Sequence, residues 1–180
     1  MQSAGARFRH SGLERLYRYW RARLDGARQI MPASSLDPVE LGRLLPNVLL
    51  VEVVEPRYRA APLARRRLGD NLIFRVAGDE IERRFRRSLR GLSLADAAMM
   101  LLRYESLTQW HEILVDAKPK YRHGPIEFPE DPPCLAEQLL LPMAADHAGV
   151  SHILGGVFYS GSDAPFDRRG TEVATIDVAY

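Results

Sequence analysis

A short apolar strand that runs directly into a charged helix is the feature that most constrains the fold of this chain. The strand extends to Ala77, and Gly78 gives the backbone the freedom to turn out of it. Gly91 follows the charged stretch, and Ser93-Leu94-Ala95-Asp96 is a capping box that begins another helix. A strand followed by consecutive helices predicts a crossover that covers one face of a sheet.

The charged helix after Gly78 has the composition of a solvated surface. Its acids precede its arginines by four residues, which is the favourable order on a helix. The expected pairs are Asp79 with Arg83, Glu80 with Arg84, and Glu82 with Arg86. Ile81 and Phe85 form the face that turns inward. A self-paired helix of this kind does not indicate a basic binding patch.

The rest of the chain alternates helical and strand patterns. An amphipathic helix is predicted from Leu13 to Ala27, and Asp37-Pro38-Val39-Glu40 begins a short second helix. A long apolar helix is expected from Ser93 to Ala117, with a break at Tyr104-Glu105-Ser106. Gly155-Gly156 indicates a bulge or a close approach in the last main strand. The predicted strands are Val48–Val54, Asn71–Ala77, Tyr121–Phe128, Leu135–Ala144 and His152–Tyr159, with Thr171–Tyr180 as a terminal strand or tail.

The composition limits the class of protein. The chain has 180 residues, enough for one domain that buries its own core. Cys134 is the only cysteine, so an intrachain disulfide is impossible and a reducing compartment is expected. The first residues lack the apolar core of a secretory signal, and no later apolar run is long enough to span a membrane. We therefore expect a soluble, cytoplasmic protein that does not associate with a membrane.

Several short motifs occur in the order found in a known family. They are Tyr19-Trp20-Arg21, Leu36-Asp37-Pro38, Leu44-Leu45-Pro46-Asn47-Val48, Arg75-Val76-Ala77-Gly78-Asp79, Gly91-Leu92-Ser93-Leu94 and Leu140-Leu141-Pro142-Met143. With five strands, and helices between the second and the third, the chain resembles a bacterial single-domain PAS family that was first catalogued as a domain of unknown function. The resemblance covers roughly Leu13 to Tyr159.

This resemblance implies an α+β fold: a PAS-like five-stranded antiparallel sheet with a helical clasp on one face and an N-terminal flanking helix. The expected organisation is a disordered N-terminus over residues 1–12, the PAS-like domain with its N-terminal helix over 13–159, and a C-terminal loop and tail over 160–180. The resemblance also implies a sensory or regulatory module that binds a small molecule, a protein partner or a second copy of itself. We expect no enzymatic activity and no catalytic residues.

Few residues are suited to cofactor chemistry. Flavin–thiol photochemistry needs a cysteine in the clasp helices, whereas Cys134 lies near the start of a strand. Haem needs an axial ligand, and His111 on the long helix is the best candidate, although a lone histidine on an apolar stripe is more often a core or rim residue. His147 and His152, near Asp146, lack a third nitrogen or sulfur ligand for a metal. We expect neither haem, flavin nor a metal, and the sequence identifies no other cofactor.

Arg75 is an arginine inside an apolar strand, and a buried guanidinium would need a partner. Glu52 on the preceding strand is the candidate, and the pair would fix the strand register. The functional alternative is that Arg75 anchors a carboxylate-bearing ligand. Glu127, Glu130 and Asp131 form an acidic group beside prolines, for which a solvated loop is favoured over an acid-base pair or a cation site.

The predicted binding site is a cleft between the sheet and the clasp helices. Its predicted lining comprises Phe74, Arg75, Val76, Met100, Tyr104 and His111. Methionines and aromatic residues would also fill a closed core, so a filled pocket is the alternative.

The apolar stripe of the N-terminal helix has two interpretations. It packs on its own domain, or it forms a homodimer interface through Leu13, Leu16, Tyr17, Trp20 and Leu24. A signalling protein is a further expected partner. Two other functions stay open, namely a small enzyme with an acid-base pocket and nonspecific nucleic-acid binding through Arg65-Arg66-Arg67. The formal net charge of only +2 argues against the second.

Overall fold

The structure is a computed structural model that describes residues 8–26, 30–54, 69–100, 107–132, 134–145, 149–160 and 172–176. Its helices are α1 Ser11–Arg21, α2 Pro38–Leu41, α3 Asp79–Phe85, α4 Leu94–Ala98 and α5 Leu107–Asp116. Its strands are β1 Met31–Pro32, β2 Val48–Val53, β3 Leu72–Ala77, β4 Lys120–Ile126, β5 Cys134–Ala144, β6 His152–Ser160 and β7 Glu172–Thr175. Short 3₁₀ turns occupy Ala33–Ser35 and Gly42–Asn47.

The strands form one mixed sheet in the order β3-β2-β6-β5-β4-β7. Every neighbouring pair in that order is antiparallel, and the short β1 pairs in parallel with β5 beside Met143. The five predicted strands are the contiguous run β3-β2-β6-β5-β4, and each of their ends lies within two residues of its predicted position. With β1 and β7 the sheet of the described residues has seven strands, not the predicted five. The predicted α+β class is therefore confirmed: a PAS-like antiparallel sheet, a clasp of helices on one face, and a flanking N-terminal helix.

Alternate residues of β2, β4, β5 and β6 serve two different cores. On β6, Ile153 and Val157 pack on the clasp side, whereas Leu154 packs on the side of α1. This period-two alternation is expected of a sheet that is covered on both faces. The clasp thus encloses one apolar core against the sheet, and α1 encloses a second.

The glycine pair in β6 marks a close approach, not a bulge. Gly155 and Gly156 pair in unbroken register with β5. A Cβ atom on Gly156 would lie 2.6 Å from Leu16 Cδ2, and one on Gly155 would overlap the Leu49 side chain. The missing side chains therefore let α1 on one face and a core leucine on the other sit directly on the sheet.

The stripe of α1 packs on its own sheet. Leu13, Leu16 and Trp20 are almost completely buried there, and Trp20 Nε1 donates a hydrogen bond to the Pro142 carbonyl oxygen at 2.8 Å. These three side chains therefore pack on their own domain, which was the first of the two predicted interpretations. Tyr17 and Leu24 are half-buried, and a homodimer contact through them stays a prediction.

The described part of the N-terminus makes contacts before Leu13, where the helix was predicted to begin. Phe8 lies with its ring centroid 5.6 Å from that of Tyr121, and the His10 ring stacks on Phe158 at 3.9 Å. The helix begins at Ser11 and ends at Arg21, earlier at both ends than predicted. The apolar pattern alone missed the start because polar residues occupy the first turn.

The ion pairs of α3 differ from the predicted spacing. Arg83 pairs with Glu80, three residues before it, and Arg86 reaches across to Glu130 and Asp131. Arg86 caps the helix in the left-handed conformation, with φ of 53°, so its side chain leaves the helix surface. Glu82, its predicted partner, instead accepts hydrogen bonds from the Ser88 hydroxyl and the Leu89 amide, each at 2.8 Å.

The predicted long helix is present as two described pieces, α4 and α5. Ser93 caps α4 by accepting a hydrogen bond from the Asp96 amide at 3.1 Å, as the capping box predicts. The break predicted at Tyr104-Glu105-Ser106 lies outside the described residues. None of the helices in the described ranges is long and apolar enough to span a bilayer.

Candidate functional site

A cavity of about 60 Å³ lies between the sheet and the clasp. Its helical side is formed by α3, α4, α5 and the segment after α3, through Ile81, Phe85, Leu89, Leu94, Ala97, Ala98 and Trp110. Its sheet side is formed by residues on one face of strands β2 to β6, namely Leu49, Phe74, Arg122, Ile126, Ala136, Gln138, Val157 and Tyr159. Small side chains leave this space unfilled, since Ala97 and Ala98 of α4 face a part of the sheet that carries Ala136.

The polar part of the cavity wall is a row of neighbours across three strands. Arg122 on β4 is the direct cross-strand partner of Gln138 on β5, and Gln138 is the partner of Val157 on β6. Directly paired residues on one face of an antiparallel sheet have Cβ atoms about 5 Å apart. A guanidinium and a carboxamide are therefore held side by side in a wall that is otherwise mainly apolar.

Arg122 is the charged group of this wall. The residue is only 6 % exposed, and its Nη2 donates a hydrogen bond to the Pro125 carbonyl oxygen at 3.0 Å. A guanidinium stays protonated at every pH that a folded protein tolerates. No aspartate or glutamate is among the described residues that line the cavity. The described part of the lining therefore includes one arginine and no acidic side chain.

Tyr159 supplies a third polar group at one end of the cavity. Burial raises the pKa of its phenol well above the ordinary value, and the neighbouring Cys134 adds to that rise while Arg84 opposes it. The phenol therefore stays protonated at neutral pH and can both donate and accept a hydrogen bond. Burial likewise raises the pKa of Cys134, which keeps its thiol protonated.

Aromatic rings and ion pairs hold the clasp over this end of the cavity. Phe128 stands edge-on to Phe85 at 5.3 Å and to Tyr159 at 6.0 Å between ring centroids. The Arg84 guanidinium carbon lies 5.2 Å from the centre of the Tyr159 ring. Beyond the rings, Arg86 pairs with two acids of the predicted acidic loop, Glu130 and Asp131. Arg86 and Glu130 are both more than half exposed, so these pairs are surface contacts and agree with the favoured prediction of a solvated loop.

The structure does not bring the predicted lining residues together at the cavity. Phe74 lies in the wall, whereas Arg75, Val76 and His111 are exposed. Met100 is half-buried and is not among the residues of the wall. Tyr104 lies outside the described residues. Of the five predicted positions that are among the described residues, Phe74 is the one that the structure places in contact with the cavity.

Ordinary strand alternation turns Arg75 away from the face of Phe74, and a register shift explains why Val76 turns away as well. Val51 pairs with Phe74 and Leu50 pairs with Val76, so Arg75 is an extra residue on β3. A bulge of this kind interrupts the alternation of side chains between the two faces. Val76 is accordingly 46 % exposed. Arg75 makes the predicted ion pair with Glu52, but both side chains are partly exposed, so the pair is a surface contact.

Arg122 and Gln138 were not recognised from the sequence as site residues. The available signal was their place in two predicted strands, because Arg122 is four residues before Ile126 and Gln138 is two after Ala136. Period two puts each polar residue on the same face as an apolar neighbour. That both strands turn this face to the same cavity depends on their pairing register, which the patterns do not specify.

The candidate cofactor ligands are not gathered at the cavity. His111 is exposed on α5, and His152 Nδ1 lies 2.9 Å from the Ser151 hydroxyl in the last hairpin. Asp146 and His147 lie outside the described residues. Within the described ranges, no group of three or more histidine, cysteine, aspartate or glutamate side chains is placed to hold a metal ion.

Comparison with known proteins adds a distant likeness. No protein-family model matches the chain, and no curated protein matches it. Among solved structures, a variant of RsLOV is similar at 13 % sequence identity, over 87 % of this chain and 72 % of its own, with a TM-score of 0.41. That score is too low to support an inference about function. The assignment of a PAS-like fold rests on the strand order and on the position of the clasp.

Proposed function

We propose that this protein is a PAS-fold sensory or regulatory protein in bacterial signalling, which binds a small molecule between its sheet and its clasp and acts through contact with another protein. The observation that carries the proposal is the cavity, whose apolar wall contains the adjacent polar pair Arg122 and Gln138. Small-molecule sites are typically apolar clefts with a few converging polar groups.

The two faces of the sheet offer a route from this cavity to a partner surface. Gln138 lines the cavity, and the preceding residue, Glu137, points to the other face. The Glu137 carboxylate accepts hydrogen bonds from the backbone amides of Arg9 and His10 at 2.6 and 2.7 Å. A shift of β5 on the cavity side therefore changes the support of the segment that leads into α1.

Native mass spectrometry of the freshly purified protein tests the proposal. We expect an additional mass that is lost on denaturation, and we expect it to be absent from the variant Ala98→Leu, whose larger side chain fills the cavity. Val39→Leu, at an 86 % exposed position, is the matched control because it adds volume outside the cavity. A bare chain mass, together with no binding from a library of small metabolites, would remove the small-molecule role.

The same spectrum reports the number of subunits. We propose a homodimer in which Tyr17 and Leu24, the half-buried members of the α1 stripe, meet a second copy. Tyr17→Glu and Leu24→Glu are expected to yield monomers with unchanged secondary structure. Dimers that persist in both variants would place the interface elsewhere, and a monomeric parent protein would leave a different signalling protein as the partner.

A further inference from the structure

We infer that the turn between β4 and β5, residues 127–132, is a gate through which a ligand reaches the cavity. This inference rests on the proposed function, because it describes how the proposed site is entered. Phe128 is 4 % exposed, whereas Pro129, Glu130 and Pro132 beside it are exposed. The turn is therefore a surface segment that inserts one large apolar side chain into the protein.

The ring of Phe128 lies across the gap between the clasp and the sheet. It stands edge-on to Phe85 of α3 and to Tyr159 of β6, and both of these residues line the cavity. One ring of the turn thus contacts a cavity residue in each of the two layers. A movement of the turn that withdraws this ring would remove the side chain between the layers and open this end of the cavity.

The ion pairs that hold the turn against α3 are of a weak kind. Arg86 pairs with Glu130 and Asp131, and Arg84 Nη1 lies 3.9 Å from Asp131 Oδ2. The side chains of Arg86 and Glu130 are 56 % and 69 % exposed, and exposed pairs contribute little to stability. Such pairs keep the turn closed without making its opening costly, which is the property of a segment that opens locally.

Cys134 is a natural reporter of this opening. It is 3 % exposed and pairs with Ile126, where the two strands meet the turn. Burial raises the pKa of its thiol, Arg84 opposes that rise and Asp131 adds to it, so the sulfur lies close to the ion pairs. Since Cys134 is the only cysteine in the chain, a thiol reagent reports the exposure of this position alone.

The rate at which Cys134 reacts with methyl methanethiosulfonate, a small neutral reagent, tests the inference in the full native chain. We expect Arg86→Gln to react about two- to fivefold faster than the parent protein, because two exposed ion pairs are lost. Phe128→Ala should react about tenfold faster or more, since the buried ring that anchors the turn is absent. Glu14→Gln is the matched control, because it removes an exposed ion pair of α1 and should leave the rate unchanged.

Salt and urea separate opening of the turn from unfolding of the whole chain. Raising NaCl from about 0.05 to about 1 M should speed the reaction of the parent protein and have less effect on Arg86→Gln, because salt screens the pairs that the variant lacks. The rate should depend weakly on low concentrations of urea, since a local opening exposes little surface. A rate with the steep urea dependence of global unfolding would overturn the gate. The salt dependence of the parent protein needs no variant, so it decides the matter if Phe128→Ala does not fold.

Entry into the cavity is measured with xenon, an apolar probe small enough for a space of about 60 Å³. Saturation transfer on ¹²⁹Xe gives the rate at which xenon exchanges with the protein. Arg86→Gln and Phe128→Ala should raise this rate. Arg86→Gln should leave the xenon affinity unchanged, because a gate outside the binding site alters entry and exit equally. The same exchange rate in the parent protein and both variants would show that the turn is not the way in.

The outcomes distinguish the gate from the proposed function. Equal labelling rates in the parent protein, Arg86→Gln and Phe128→Ala would overturn the gate, even where native mass spectrometry finds a retained molecule. Labelling and xenon exchange that both respond to the variants, found together with a bare chain mass and no binding of metabolites, would support the gate and contradict the small-molecule role alone.

Discussion

Glu137 holds the backbone of His10 through a hydrogen bond of 2.7 Å from the His10 amide to Oε2. Its other oxygen accepts from the Arg9 amide at 2.6 Å and from the Tyr121 hydroxyl at 3.0 Å. Glu137 is only 6 % exposed, and three hydrogen-bond donors compensate for the burial of its carboxylate. The Glu137 side chain thus attaches the segment before α1 to the middle of the sheet, in addition to the ring contacts of Phe8 and His10.

Replacing Glu137 with Gln is expected to loosen this attachment. The amide nitrogen that takes the place of one oxygen cannot accept a hydrogen bond, so a buried N–H would face another N–H. We expect the free energy of unfolding to fall by about 1–3 kcal/mol and the amides of residues 9–12 to exchange faster with deuterium. Urea unfolding and hydrogen exchange measure the two effects. Glu14→Gln, which alters an exposed pair with Arg18, should change stability by less than about 1 kcal/mol. Equal effects of the two substitutions would contradict the role of Glu137.

Replacing Trp20 with Ala tests whether α1 is part of the core. The side chain is completely buried and bonded to the Pro142 carbonyl oxygen. We expect a loss of about 3–5 kcal/mol in the free energy of unfolding, measured by urea denaturation. Trp20→Phe keeps a ring and removes the hydrogen bond, so its loss should be smaller. A Trp20→Ala protein of unchanged stability but reduced subunit number would instead identify Trp20 as an interface residue.

Replacing Gly156 with Ala is expected to push α1 off the sheet. The added Cβ would lie 2.6 Å from Leu16 Cδ2 and 2.9 Å from Leu13 Cδ2, which is closer than packed carbon atoms allow. We expect a destabilisation of about 1–3 kcal/mol in thermal or urea unfolding. Gly26→Ala is the control, because a Cβ there meets nothing within 4 Å. A Gly156→Ala protein as stable as this control would show that α1 is not seated on the glycine.

The decrease in the free energy of unfolding at alkaline pH should depend on Tyr159. Its pKa is raised in the folded protein because burial disfavours the phenolate, so the folded state holds the proton more tightly than the unfolded state. The stabilisation is complete below the ordinary tyrosine pKa of about 10 and is lost as the pH rises above it. Tyr159→Phe cannot lose a proton, so its free energy of unfolding should fall less steeply above pH 10. Parallel curves for the parent and the variant would contradict this assignment.

Local patterns in the sequence were sufficient to predict the strands and the caps. The runs around Val51 and Leu139 were long and apolar enough to identify central strands, and Asp37 and Ser93 marked helix starts through short-range hydrogen bonds. These features depend on residues within a few positions of one another. The PAS-like order of elements followed from them.

The lining of the cavity could not be predicted in the same way. The extra residue at Arg75 changes the face of Val76, and that bulge is defined only by the pairing of β3 with β2. Arg122 and Gln138 become neighbours only through the register of β4 with β5. The partners of Arg86 lie in a turn more than forty residues away in sequence. Each of these relationships joins distant segments, so spacing along the chain does not reveal it.

The alternation of β5 places the residues that line the cavity and the residues that hold the N-terminal segment on opposite faces of one strand, so that they can change independently in evolution. Ala136, Gln138 and Leu140 face the clasp, whereas Glu137, Leu139 and Leu141 face α1. A substitution at an even-numbered position can alter which molecule the cavity admits without disturbing the attachment of the N-terminal segment. A substitution at an odd-numbered position can do the reverse. If the proposed function holds, a descendant of this chain could therefore bind a new ligand while keeping the same attachment of α1.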